Sequence, residues 1–125
     1  MKTPPRISET EWKIMQVLWL RAPLTAAEIL EALRCDDSTW HPKTAQTLIG
    51  RLVKKGALGF EGSGRNYRYH PRVKADDCVG RETESFLKRV FGGSLQPMLA
   101  HFIEHRKLSP REIKELRKIL EGDQP

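Results

Sequence analysis

Pro42-Lys43-Thr44-Ala45-Gln46-Thr47-Leu48-Ile49-Gly50-Arg51-Leu52-Val53-Lys54-Lys55, closed by Gly56, is the stretch on which the reading of this chain turns. Ala45, Leu48, Ile49 and Leu52 recur at i, i+3, i+4 and i+7, which predicts a helix with one apolar face. Lys43, Thr44, Gln46, Thr47, Gly50, Arg51 and Lys54 take the remaining positions, and the segment contains no acid. A helix that only covers a core normally carries mixed charge outside. A face of cations and short hydrogen-bonding groups suits the major groove of DNA, with the first turns on base edges. The plainer alternative, a basic surface helix, is weighed by what flanks it.

Upstream, Ser8-Glu9-Thr10-Glu11 and Thr25-Ala26-Ala27-Glu28 each have the spacing of a capping box, in which hydroxyl and carboxylate satisfy helix-terminal amides reciprocally. The first opens a helix to about Leu20, with Trp12, Met15, Leu18 and Trp19 as core anchors. The second opens a short helix with Ile29, Leu30 and Leu33 facing inward. Pro42 fits the first position of the third helix. His41 is a weak N-cap, which leaves Ser38 or Thr39 as helpers. Two short helices and a third with a basic face make a helix-turn-helix.

Downstream, Ala57–Glu61 and Asn66–His70 read as short strands around the turn Gly62-Ser63-Gly64-Arg65. Arg65 and Arg68 fall at or near the tip, where the alternative is solvated hairpin charge. The fold class expected is mainly α with a small β-hairpin: a winged helix-turn-helix domain over residues 1–73. The candidate DNA contacts are Lys43, Thr44, Gln46, Thr47, Arg51, Lys54, Lys55, Arg65 and Arg68.

Pro71 to Ala75 reads as a hinge into a second domain, residues 74–125. Helices are expected from about Asp76 to Phe91, from Ser94 to about Arg106, and after the capping box Ser109-Pro110-Arg111-Glu112. So few residues cannot bury all these apolar stripes alone. The economical solution is a homodimerisation arm, with Phe86, Leu87, Val90, Leu99, Phe102, Ile103, Ile113, Leu116 and Leu120 as candidate contacts. Docking onto the same chain's first domain is the alternative.

Charge agrees with this division. Residues 1–73 hold 12 Lys and Arg against 7 Asp and Glu, a net +5 of the +6 total, whereas residues 74–125 hold 10 against 9. A polyanion-binding module joined to a near-neutral one has this distribution. At 125 residues the chain fits one domain, or one with an appendage. No run approaches the ~20 apolar residues of a membrane span, no signal peptide is legible, and Cys35 and Cys78 form no disulfide framework. The expected compartment is the cytoplasm.

With these residues laid out, the chain resembles the BlaI/MecI family of penicillinase repressors. The likeness rests on Ile7-Ser8-Glu9-Thr10-Glu11-Trp12, on Lys43-Thr44, Thr47-Leu48-Ile49, Arg51-Leu52 and Lys54-Lys55-Gly56, on Tyr69, Pro71 and Val73, on Phe91-Gly92-Gly93-Ser94, and on Leu108-Ser109, Glu112-Ile113 and Glu115-Leu116. The resemblance implies a homodimeric repressor of antibiotic-resistance genes on a dyad-symmetric operator. It further implies relief by cleavage within the arm, triggered by a membrane-bound sensor metalloprotease for β-lactams. The candidate bond is His101-Phe102, where the best-known members have Asn-Phe. Gln46 stands where those members often carry Arg. Copper-responsive relatives end in a cysteine-rich motif, and no cysteine follows Cys78 here.

His101-Phe102-Ile103-Glu104-His105 matches H-x-x-E-H, the inverted zinc-protease motif. A third ligand would have to come from the last 20 residues, and so small a chain builds no substrate cleft. The pair is therefore read as non-catalytic, with incidental metal capture the remaining option. No enzyme activity, resident metal or cofactor is expected. Two further binding functions stay open: a small-molecule-responsive regulator with an effector pocket between arm and N-terminal domain, and a winged helix used for protein contacts alone. The acid-free helix and basic wing oppose the latter.

Overall fold

All three capping boxes form. In a computed structural model that describes residues 3–122, the hydroxyls of Ser8, Thr25 and Ser109 accept from the amides of Glu11, Glu28 and Glu112, whose carboxylates accept the cap amides in return. They open α1 (Glu9–Arg21), α2 (Ala26–Asp36) and α6 (Pro110–Leu120). The remaining helices are α3 (Pro42–Lys55), α4 (Ala75–Phe91) and α5 (Leu95–Glu104).

At the start of α3 the expectation that Ser38 or Thr39 assists is corrected. His41 caps the helix itself, its Nδ1 accepting from the Lys43 amide at 3.1 Å. Thr39 instead bonds to Asp37 through amide and hydroxyl, at 3.0 and 2.6 Å. Arg34 Nε donates to the Trp40 carbonyl at 3.0 Å, so the connection into α3 is fixed at both ends. Gly56 closes the helix with φ of 86°, a left-handed conformation that glycine adopts without steric cost.

The sheet has three short antiparallel strands in the order β1 (Leu24–Thr25), β3 (Arg68–Pro71), β2 (Leu58–Glu61). Phe60 lies opposite Tyr69 and Glu61 opposite Arg68, while Leu24 and Thr25 pair with Tyr69 and Arg68 from the other side. The two-residue β1 is too short to show a period in sequence. Ala57 is buried ahead of β2. Gly64–Asn66 form a 3-10 turn, so Asn66 and Tyr67 lie outside the strand expected to contain them.

The chain divides into two units, residues 1–82 and 83–125. The break therefore falls inside α4, beyond the expected hinge after Val73. The first two turns of α4 belong with the first unit: Cys78 is buried in its core, and Arg81 donates to the Pro4 carbonyl at 2.8 Å. Trp19 Nε1 donates to the Val73 carbonyl at 3.0 Å, which ties down the segment read as a hinge. The first unit's core gathers Ile14, Met15 and Leu18 of α1, Ile29 and Leu33 of α2, and Ala45, Leu48, Ile49 and Leu52 of α3. Trp12 and Trp19 pack at its edge with ring centroids 5.5 Å apart.

The second unit is built differently. None of its described residues is buried. Leu87, Leu99, Ile113 and Leu116 are half-buried, whereas Phe86, Val90, Phe102, Ile103, Ile119 and Leu120 are exposed.

Candidate nucleic-acid interface

Helix α3 turns Ala45, Leu48, Ile49 and Leu52 into the core, so the opposite side of the cylinder must face out. Lys43, Thr44, Gln46, Thr47, Gly50, Arg51 and Lys54 are all exposed there. Gln46 and Ile49 of this helix line a cleft of about 680 Å³ together with Thr25 and Ala27 at the start of α2 and Asn66 and Tyr67 beyond the hairpin turn. Three separate pieces of chain thus converge: the first turns of α3, the N-terminus of α2, and the wing.

Each piece is held by local chemistry. Thr25 caps α2 and also pairs with Arg68 in the sheet, so a single residue joins helix start and wing. Its amide, bonded to the Glu28 carboxylate, is the main reason that carboxyl lies below its ordinary value, with Arg68 adding a smaller pull. The wing turns at Gly62, whose φ is 104°; a Cβ there would lie 2.6 Å from the Asn66 carbonyl oxygen. Phe60 fixes the far side through ring contacts with Tyr67 and Tyr69, at 4.6 and 6.1 Å.

A family model described as the penicillinase repressor matches residues 7–122. The chain belongs to the penicillinase repressor family. It is a family of transcriptional repressors, not enzymes. The chain is 40% identical over 121 residues to a penicillinase repressor of Bacillus licheniformis, covering 97% of this chain and 94% of that one. It is 33% identical to the methicillin resistance regulatory protein MecI of Staphylococcus aureus, over 91% of this chain and 92% of that one. The solution structure of the DNA-binding domain of the repressor BlaI matches with a TM-score of 0.54 at 39% identity, covering 62% of this chain and 93% of that domain. Monomeric Bacillus licheniformis BlaI in complex with the blaP half-operator matches with a TM-score of 0.51, at the same identity and coverage. The winged helix-turn-helix class and the family read from sequence both hold.

Within this family member, the structure sorts the residues expected to contact DNA. Lys43, Thr44, Gln46, Thr47, Arg51 and Lys54 share the outer side of α3. Arg68 is exposed but starts β3, flanked by Glu61 and Thr25, so it sits back from the hairpin tip. The side chain of Arg65 lies outside the described residues. Lys55, also expected to contact DNA, is engaged within the fold: its ammonium pairs with the carboxylate of Glu11 and donates to the Arg6 carbonyl at 2.9 Å. Glu11 is a buried charged residue of the core. Burial acts to raise its carboxyl, but the hydrogen bonds from Lys55 and the Ser8 amide outweigh this and leave it below the ordinary value of 4.5. Lys55 thus joins the end of α3 to the start of α1.

Sequence reasoning did not place Asn66, Tyr67 and the α2 terminus beside Gln46. Tyr67 looked like a strand residue, and an apolar-and-alanine segment carries no charge signal. The capping box at Thr25 was the available clue, because it marks a helix start whose first amides lack intrahelical partners.

Proposed function

We propose that this chain represses transcription by binding operator DNA as a homodimer, each winged helix reading one half-site. The observation that carries the reading is the single cleft formed by Gln46, the α2 terminus and the wing, beside a helix face with no acid in it. A relative of 39% identity in complex with a half-operator supports it. Thr44, Gln46 and Thr47 contact base edges or adjacent phosphates, and Gln46 pairs with adenine through its amide. Lys43, Arg51, Lys54, Arg65 and Arg68 neutralise phosphates, while the Ala26 and Ala27 amides receive one at the α2 terminus.

The exposed and half-buried apolar side chains of the second unit support the homodimer, with Phe86, Leu87, Val90, Leu99, Phe102, Ile103, Ile113, Leu116 and Leu120 in the contact. The dimer binds tightly because the second half-site is met at high effective concentration. Cleavage at His101-Phe102 by a membrane-bound sensor metalloprotease removes part of that apolar set and relieves repression. His101 and Phe102 are both exposed on α5, which is consistent with access. No helix among the described residues is long and apolar enough to cross a membrane, and we assign the repressor to the cytoplasm.

The test is a gel shift on the DNA upstream of the protein's own gene at increasing salt. Log K falls with log salt by roughly 0.9 per phosphate neutralised. Binding that is flat between low and moderate salt would overturn the reading.

A further inference from the structure

Asn66 ends the 3-10 turn of the wing, and its amide donates to the Ser63 carbonyl at 3.2 Å. Its own carbonyl oxygen lies against Gly62, where a Cβ would come within 2.6 Å. The next residue, Tyr67, is anchored by its ring contact with Phe60 at 4.6 Å. The backbone of Asn66 is therefore held from both sides, while the residue itself is exposed. An asparagine in a turn commonly bonds its side chain to the neighbouring backbone. Here the carboxamide makes no hydrogen bond to any described residue, so a fixed backbone presents an uncommitted donor group. Asn66 lines the same cleft as Gln46 of α3 and Thr25, Ala26 and Ala27 at the start of α2.

We propose that Asn66 is an uncharged phosphate clamp, its carboxamide N–H donating across the cleft to the backbone phosphate that the Ala26 and Ala27 amides receive. The assignment rests on the operator-binding reading above and adds to it a contact from the wing. A phosphate oxygen only accepts, so the nitrogen end of the carboxamide meets it and the oxygen end turns away. Asparagine belongs to the side chains that bond DNA phosphates, and such contacts fix register and orientation without reading sequence. Two carboxamides in one cleft thus divide the work: Gln46 reads from α3, and Asn66 holds the strand from the wing. The Gly62 turn and the Phe60–Tyr67 contact set the backbone of Asn66 in advance, so little ordering is left to cost affinity on binding. A neutral donor displaces no counterion. Asn66 therefore differs from Lys54 and Arg51 in how its contribution responds to salt.

Gel shifts of the full chain over a range of salt, on the DNA upstream of its own gene and on a scrambled duplex, test the clamp. Asn66→Ala should lower affinity about tenfold at every salt concentration and on both duplexes. It should leave the slope of log K against log salt unchanged, whereas Lys54→Ala should flatten that slope by roughly 0.9 for each phosphate released. Asn66→Asp keeps the shape of the side chain but turns a carboxylate toward the phosphate, so it should bind more weakly than Asn66→Ala. Undiminished affinity in Asn66→Ala, or an Asn66→Asp that binds as well as Asn66→Ala, overturns the clamp and leaves Asn66 a turn residue. A loss confined to the upstream sequence makes Asn66 a base reader and overturns the phosphate contact. Flat binding by the parent between low and moderate salt overturns the operator reading itself. A parent with a steep slope and an Asn66→Ala that binds equally well overturns the clamp alone.

Discussion

The two units use the same local devices and reach different ends. Both contain capping-box helices, yet 14 apolar residues among those described in the first unit are buried, while none of the described residues of the second is buried. The difference lies in layers: α1, α2, α3 and the sheet surround one another, whereas short helices alone leave faces such as Phe102, Ile103, Ile119 and Leu120 uncovered. Capping makes a helix. Only a second apolar layer makes it stable. On the proposed reading, DNA binding falls to the self-sufficient unit and assembly to the incomplete one.

The strongest way to break that contrast is truncation. A chain ending at His101 should remain folded through its first unit but become monomeric, with operator affinity reduced by about 10²–10⁴-fold, the usual range of avidity lost with a second module. Sedimentation and gel shift check this together, and a dimer of unchanged affinity would refute it.

Next comes a matched pair of leucines. Leu52 is 0% exposed and Leu120 70% exposed. Leu52→Ala should lower unfolding free energy by about 2–5 kcal/mol at any protein concentration. Leu120→Ala should mainly shift the concentration dependence of dimerisation. Equal effects on a dilute chain would mean that the second unit has a core of its own.

Within the first unit, Gln46→Ala should cost about 1–3 kcal/mol on the preferred operator and relax one base position, while Lys54→Ala weakens all sequences alike. If scrambled DNA loses as much as the operator with Gln46→Ala, Gln46 is not a base reader.

A smaller effect concerns Glu11. Its folded-state carboxyl lies below the ordinary 4.5, so its contribution is present above that value and lost as pH falls through the lowered one. Acid titration of stability should therefore show a loss below pH 4.5 that Glu11→Gln reduces. Lys55→Ala, which leaves the buried carboxylate short of a partner, should cost about 1–3 kcal/mol in stability. An unchanged melting temperature with weaker DNA binding would return Lys55 to the DNA-contacting face.

Periodicity and capping chemistry act within a few residues, so helix starts at Glu9, Ala26, Pro42 and Pro110 and the acid-free face of α3 were determined by sequence alone. So was the family. The pairing of Lys55 with Glu11 crosses 44 positions, and no local pattern distinguishes that lysine from Lys54. Tertiary packing decided it, because a carboxylate buried beside the end of α3 must find a cation. The same holds for Asn66 and Tyr67 beside Gln46, and for the fourth helix, whose first turns joined the core through Cys78. Such assignments depend on which surfaces meet after folding, a long-range property that residue order constrains only through the whole chain at once.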